Sequence, residues 1–513
     1  MAISSGSQLG ARVLQRNHAQ ITSRTTSGAG LLICARLVTK SFDFLTLLIL
    51  ARLLNPTEFG IVAIAMTMVY VIEAVFELPV NQVLVTLPQI ERVHLDTAFT
   101  LGLLRGIVLA LGLSLLAIPF SHIYNDARLI YLIPILSMAP AMRGLMSPQL
   151  AVFSARLDFR RDFILELSGK FAAFMFATSA ALILHNYSAI MVGIITTPTV
   201  MTLLSYILAP YRPRLSLKSW PFFAHFLSWT TASQLLSALN WQCDRLILGR
   251  FVPRAQLGEF SLANDLSYIP ESALINPILR PLMSAFSLVR HDPVRLDLAY
   301  AKTSNSILAV GTPVMLGMSI LAKPAVTFAL GGKWIPSIPI LHWLALTLIP
   351  PLLIAPFPSL SMALGQPQMN LRRTAAEALT KFPFIIPAAM YFGVPGVIVV
   401  RALSSVLTTW ITFFYVKRLI GKSVLRQIYE TWRVALSGSI LAIFLLLIRP
   451  IFDGQTELVT GILLVLGGGL GLAIYGGTLL VTWHFSGQPR GLETAAIERF
   501  HSIQRKVLGR QFG

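Results

Sequence analysis

The sequence predicts an all-α integral membrane protein of about fourteen transmembrane helices: two pseudo-symmetric six-helix lobes followed by two extra C-terminal helices. Three observations carry this expectation. Of 513 residues, 55% are hydrophobic and only 12% charged, with a mean hydropathy of +0.70; a typical soluble chain is roughly 25% charged. Apolar stretches recur at the roughly 20 residues that a bilayer core about 30 Å thick demands. The chain also matches itself at an offset of 198 residues.

The first 27 residues are polar and basic, without the short apolar core and small-residue cleavage site of a signal peptide, and read as a tail. Candidate spans follow at about 28–50, 59–86, 98–120, 128–149, 163–184 and 188–210, which make up the first lobe, 28–210. Turn-forming residues punctuate them at Leu54-Asn55-Pro56, Asn125-Asp126 and Tyr211-Arg212-Pro213. The second lobe, 222–418, holds spans at about 222–248, 258–283, 303–330, 336–365, 374–391 and 394–416, with a break at Gly365-Gln366-Pro367. Two more spans, about 434–449 and 457–483, occupy the additional segment 434–483. In the final tail, 484–513, Leu492, Ala496, Phe500, Ile503 and Val507 share one helical face, which reads as either a surface-lying helix or a solvated end.

Charge gives the orientation. With the N-terminus in the cytoplasm and spans alternating, cytoplasmic stretches hold 27 Lys and Arg and the opposite side only six. That asymmetry is what the positive-inside rule expects, so both termini are expected to be cytoplasmic. It also accounts for much of the net charge of +19, which removes nucleic acid as an expected partner. Cys34 and Cys243 lie in apolar stretches without CxxC or metal-ligand spacing, so no disulfide, zinc site or other cofactor is expected.

At the offset of 198, Arg52, Gly60, Ala65, Tyr70, Glu73 and Pro79 fall on Arg250, Gly258, Ala263, Tyr268, Glu271 and Pro277. The shift maps span 1 onto span 7 and span 2 onto span 8, an even number of spans. Parallel repeats about an axis along the membrane normal are a transporter architecture, with substrate handled between the halves.

Several segments resemble a known family. They are Ala51-Arg52-Leu53-Leu54-Asn55-Pro56-Thr57-Glu58-Phe59-Gly60, Asp96-Thr97-Ala98-Phe99-Thr100, Ala155-Arg156-Leu157-Asp158-Phe159-Arg160-Arg161 and Asp244-Arg245-Leu246-Ile247-Leu248-Gly249-Arg250, with Gly258-Glu259-Phe260-Ser261-Leu262-Ala263 and Gly331-Gly332-Lys333-Trp334 after them. From about residue 30 to 370 the order is similar to that of Wzx-type polysaccharide flippases of the MOP superfamily, which also holds the MATE antiporters and lipid II flippases. The resemblance implies movement of an undecaprenyl-pyrophosphate-linked oligosaccharide across the bacterial inner membrane, for exopolysaccharide, capsule or O-antigen, beside membrane lipids and a polysaccharide polymerase and export machinery. One departure is Glu77-Leu78-Pro79, where relatives carry an acidic-Leu-Gly turn; a different bend is expected there.

Charges within spans mark the candidate site, because such groups normally face a cavity or a partner. Span 1 carries Arg36, Lys40 and Asp43, span 2 Tyr70, Glu73 and Glu77, and span 3 Arg105. Span 7 lines up Gln234, Ser237, Trp241 and Asp244-Arg245; span 8 holds Asn264, Asp265, Tyr268, Glu271, Asn276 and Arg280 among three prolines; spans 11 and 12 add Glu377, Lys381 and Arg401. Arg36, Lys40, Arg105 and Arg280 are the expected pyrophosphate-binding cations, since a guanidinium pairs well with phosphate. Gln234, Trp241, Tyr70 and Tyr268 are the expected sugar contacts. Asp43, Glu73, Asp244, Asp265 and Glu271 are expected to couple ions or to form ion pairs, with Glu73, Glu271 and Asp265 favoured for proton or sodium coupling and both glutamates expected at mid-span. Arg36–Asp43, Asp244–Arg245 and Glu377–Lys381 are equally readable as structural pairs, and Arg105 and Arg280 as helix-end residues reaching the headgroups. Two rival classes remain: a MATE-like small-molecule antiporter, whose lumen should be acidic, and a polymerase or ligase enzyme, which the short external loops and the lack of nucleotide, zinc or nucleophile motifs disfavour.

Overall fold

The structure is a computed structural model describing residues 38–487 except 78, 79, 81, 82, 85, 86, 88, 156, 157, 159 and 280, with backbone alone for 224–233. Arg36, Arg280, Cys34, Pro79, the first tail and residues 488–513 of the final tail fall outside these residues. Residues 38–53 are helical (α1). Then come α2 (Pro56–Val75), α3 (Arg92–Tyr124), α4 (Leu129–Gly144), α5 (Arg160–Leu184), α6 (Ser188–Leu208), α7 (Trp220–Phe251) and α8 (Arg254–Pro270). The second half continues with α9 (Pro293–Ile320), α10 (Ser337–Thr347), α11 (Pro367–Ile420), α12 (Trp432–Ile448) and α13 (Glu457–Phe485), with short helices between. Among the described residues there is no strand.

Nine described helices are long and apolar enough to cross a membrane, ten if α9 and Ala322–Ala329, bent by 72°, form one span. The expected fourteen is therefore not reached by this measure, for local reasons. The α4 helix has only 16 residues. The α7 helix is long but carries Asn240, Gln242, Asp244 and Arg245. Two expected spans merge into the 54-residue α11, which breaks at Gly393, φ 59°. Beyond α8 the expected span bends through a π-helical turn, Glu271–Ile275, before Asn276–Leu279 and Leu282–Val289; such turns take an extra residue into the helical ladder.

Helix starts follow from the residues there. Pro56 needs no N–H at the first position of α2, and the Glu58 carboxylate accepts from the Asn55 backbone N–H at 3.1 Å. A turn later α2 crosses α8 with their backbones touching. A Cβ on Gly60 would lie 1.9 Å from the Arg254 carbonyl oxygen, and one on Gly258 would lie 1.8 Å from that of Pro56. Both pairs are related by the same offset of 198 residues. Residue i of one copy thus meets residue j of the other and the reverse, the signature of a two-fold contact. The duplication read from sequence is built into the crossing.

Around it the two halves share one apolar core, with Leu54, Ile61 and Ile64 against Leu257, Phe260 and Trp334. Polar bonds complete a seal at this end. Trp334 donates its indole N–H to the Ala51 carbonyl at 2.7 Å, and its ring meets Phe59 edge-on. Tyr124 donates to the Leu246 carbonyl at 2.9 Å. Arg254 donates to the carbonyls of Gly249, at 2.7 Å, and Tyr124, and lies 3.5 Å from Asp126. Burial pushes the Asp126 carboxyl up, but bonds from the Arg128 side chain and backbone outweigh it and hold the group below its ordinary value. Such a group contributes while pH stays above the unfolded carboxylate value of about 4 and is lost as pH falls through the lower folded one. The latch is therefore intact at neutral pH.

Candidate functional site

From the seal a cavity of about 730 Å³ extends between α1, α2, α7 and α8, bordered by Lys40, Asp43, Tyr70, Glu73, Arg245 and Asp265 among others. A second, of about 300 Å³, lies between α7, α8 and α11, with Asp244, Tyr268, Glu271, Lys381 and Arg401 on its wall. Trp241 borders both, and its ring packs edge-on against Tyr268. The aromatic residues expected to meet sugars therefore lie on cavity walls, Tyr70 on the first, Tyr268 on the second and Trp241 on both. Gln234 lies on the same helix as Ser237 and Trp241 yet lines neither cavity.

Cation placement follows from helix geometry. A close crossing of α3 and α4 at Gly102 and Gly144, where an added Cβ would sit 2.3–2.4 Å from the opposite carbonyl oxygen, brings Arg105 and Arg143 together. Both reach Glu73, at 3.2 and 2.7 Å. Glu73 stands in the last turn of α2 and not at mid-span, because the helix ends at Val75. On α1, Asp43 takes Lys40 at 3.2 Å and Lys170 of α5 at 2.6 Å. In the second half Asp244 takes Lys381 at 2.8 Å and Arg401 at 3.5 Å, all three nearly or fully buried. Arg401 also donates to the Asn264 side chain at 2.7 Å, and Lys381 to the Asn240 carbonyl at 2.9 Å.

One pattern recurs: each of these three carboxylates is shared by two cations. Each cluster is folded as a compensated ion group and keeps one positive charge in excess. Lys40 and Arg105 are thus engaged and not free, and the cavity walls alternate cations with carboxylates, Glu77, Asp265, Glu271 and Glu377 among them.

Adjacent and helical-neighbour pairs read from sequence are reassigned. Asp244 and Arg245 point to different sides, as neighbours i and i+1 on a helix must. Arg245 bonds Asp265 and the Ser261 carbonyl instead. Lys381 goes to Asp244, while Glu377 is 3.9 Å from Arg373. Arg52, one of the repeated residues, bonds Glu457 of α13 at 3.0 Å. Arg143 and Lys170, which count among the cytoplasmic charges of the sequence, are partners that no local spacing indicated. The small-residue pair Gly102 and Gly144 was the available signal for the first. Among the described residues no group of three or more His, Cys, Asp or Glu could hold a metal ion.

Asp96, in one of the motif segments, is buried and accepts from Tyr211 at 2.5 Å, and Thr100 and Thr97 accept from the backbone of Ser216 and Ser219. This motif straps the segment joining the two halves onto α3.

Known proteins share this organisation. The family described as "Polysaccharide biosynthesis protein" matches residues 49–339. The lipopolysaccharide biosynthesis protein WzxC of Escherichia coli K12 is 24% identical over 418 residues, 80% of this chain and 85% of its own. The succinoglycan biosynthesis transport protein ExoT of Rhizobium meliloti is 24% identical over 324 residues, 63% of this chain and 66% of its own. Among solved structures, the lipid II flippase MurJ in an inward closed conformation aligns with a TM-score of 0.67 at 13% identity, covering 89% of this chain and 98% of that one. An inward-facing MATE transporter of the MOP superfamily aligns at 0.59 and 12% identity, covering 76% and 98%. With more than half its length inside the family match, the chain belongs to the polysaccharide biosynthesis protein family, and it shares its fold with these two transporters.

Proposed function

We propose that this chain carries an undecaprenyl-pyrophosphate-linked oligosaccharide from the cytoplasmic to the periplasmic face of the bacterial inner membrane, for exopolysaccharide, capsule or O-antigen assembly. Two lobes, 28–210 and 222–418, rock about the Gly60–Gly258 crossing. With both termini cytoplasmic by charge, the sealed end is periplasmic and the central cavity is reached from the cytoplasm. The headgroup occupies the lumen while the lipid tail stays in the bilayer. A polysaccharide polymerase and export machinery take up the product. The names of the relatives support the substrate class: one belongs to lipopolysaccharide biosynthesis and one to succinoglycan transport.

The observation that carries this reading is two cations on each of Asp43, Glu73 and Asp244 beside a lumen bordered by Trp241, Tyr70 and Tyr268. The surplus charge suits a pyrophosphate, and the aromatic faces suit sugar rings. The clusters also permit a clean test. Lys40→Gln and Arg143→Gln each remove one cation of a pair and leave the carboxylate matched one to one. Folded protein should persist, since such partly exposed pairs contribute only about 0–1 kcal/mol. Flipping of lipid-linked repeat units in reconstituted vesicles should fall tenfold or more in the double variant. Unchanged flux there would remove the anion-binding lumen.

Ion coupling is best assigned to Glu271. Glu73 is doubly paired and Asp265 is held by Arg245, whereas Glu271 opens the π-helical turn and lines the second cavity without a hydrogen bond or ion pair among the described residues. Glu271→Gln should abolish the dependence of flipping on an imposed proton or sodium gradient while leaving gradient-free exchange. A variant that still responds to both gradients would rule this assignment out.

A further inference from the structure

A groove of about 680 Å³ lies outside the central cavities, between the first turns of α8, α10 and the second leg of α11. Chain geometry gives its depth. On α11 its lining runs from Val394 to Val406, which at 1.5 Å per residue is roughly 18 Å. That is about half of a bilayer core near 30 Å thick. The groove therefore spans one leaflet, from the interface at the sealed end to the midplane.

Its polarity is graded along that depth. Val399, Leu403 and Val406, with Leu346, line the deep part. At the shallow end stand Gln256 and Glu259, on the first two turns of α8. Glu259 is only 9% exposed and has no hydrogen bond or ion pair among the described residues. The carboxylates of the central cavity that bear structural load are paired; this one faces an apolar groove alone. A carboxylate so placed requires a counter-charge or a proton. The fold itself does not call for an acid here, because the matching position of the first repeat is Ile61.

We propose that the groove seats one aminophospholipid of the leaflet at the sealed end, its primary ammonium on Glu259 and one acyl chain lying along α11 toward the midplane. Charge and length select this occupant. The ammonium offers three N–H donors to a lone carboxylate, an anionic headgroup would be repelled, and the apolar part is one leaflet deep. Bound there, the lipid would buttress α8 against α11 beside the seal and outside the transport path.

Native mass spectrometry of the full chain, extracted with equimolar phosphatidylethanolamine, phosphatidylglycerol and phosphatidylcholine, tests this. The wild type should retain one phosphatidylethanolamine with about tenfold preference over phosphatidylglycerol, the scale of one charge-assisted bond. Phosphatidylcholine, lacking N–H donors, should bind more weakly. Glu259→Gln should lose the headgroup preference. Ala402→Trp, which fills the groove, should lose the lipid whatever its headgroup. Equal retention of the three lipids by the wild type, as a simply protonated Glu259 would give, overturns the proposal. So does an unaltered preference in Glu259→Gln. If that variant does not fold, the wild-type preference and its loss in Ala402→Trp decide the matter.

Discussion

Replacing Asp244 with Asn is expected to destabilise the protein by about 3–5 kcal/mol, the cost of leaving buried charge without its partner. The side chains of Lys381 and Asp244 are 7% and 5% exposed, and Arg401 is 13% exposed. Asn keeps the volume but removes the charge that holds both cations. Their remaining bonds, to the Asn240 carbonyl and the Asn264 side chain, are to neutral groups. Three helices come apart together, because the cluster ties α7 to α8 through Asn264 and both to α11. A second substitution separates charge from shape. Lys381→Met in the Asp244→Asn background removes one of the stranded cations and should recover a large part of the loss, although each change alone destabilises. Denaturant or thermal unfolding of the purified chain measures all three variants. Strictly additive losses would show that the cluster is not a coupled unit.

Much of the fold was legible because it rests on patterns the chain repeats. Span length, charge asymmetry and the offset of 198 residues all report constraints that act along the sequence. The motif around Asn55 to Gly60 was also legible as important, and the structure says why: Pro56 and Glu58 start the helix, Phe59 meets Trp334, and Gly60 admits the opposite backbone. Those residues build the seal, and Phe59 also borders the first cavity. The candidate site was legible only in part. Its residues were recognisable by charge within apolar stretches, but their partners were not, because pairing depends on which helices cross. Lys170 sits 127 positions from Asp43, and Arg143 70 positions from Glu73. No local spacing encodes those distances. Pairing by sequence adjacency failed at Asp244-Arg245 because successive helical residues diverge by about 100°. The span count is left unconfirmed for a similar reason: a kink, a π-helical turn and a bent pair change how much apolar helix is continuous without changing composition.

Gly60→Val and Gly258→Val are expected to act alike, and this equivalence is the sharpest consequence of the duplication. Each substitution places a Cβ within 2 Å of a backbone carbonyl oxygen in the opposite copy, at 1.9 and 1.8 Å. Backbone cannot swing aside as a side chain can, so α2 and α8 must separate. Overpacking of this kind costs about 1–3 kcal/mol, and here the upper end applies. The cost falls on one state. The crossing lies at the seal, with Trp334, Tyr124 and Arg254 around it, so separation weakens the sealed arrangement relative to one open at that end. A cysteine replacing Ile64, buried beside the crossing at 1% exposure, should become reactive to a water-soluble maleimide in either variant. The two should react at similar rates, because the contacts they break are reciprocal. Gly60→Ala with Gly258→Ala should open the seal further than either single change, since both copies then hold the helices apart. Transport should fall in every case, as a protein biased toward one end cannot complete its cycle. Reactivity that rises in only one of the single variants would mean the two halves do not share the crossing equally, and a symmetric rocking motion about it would have to be given up.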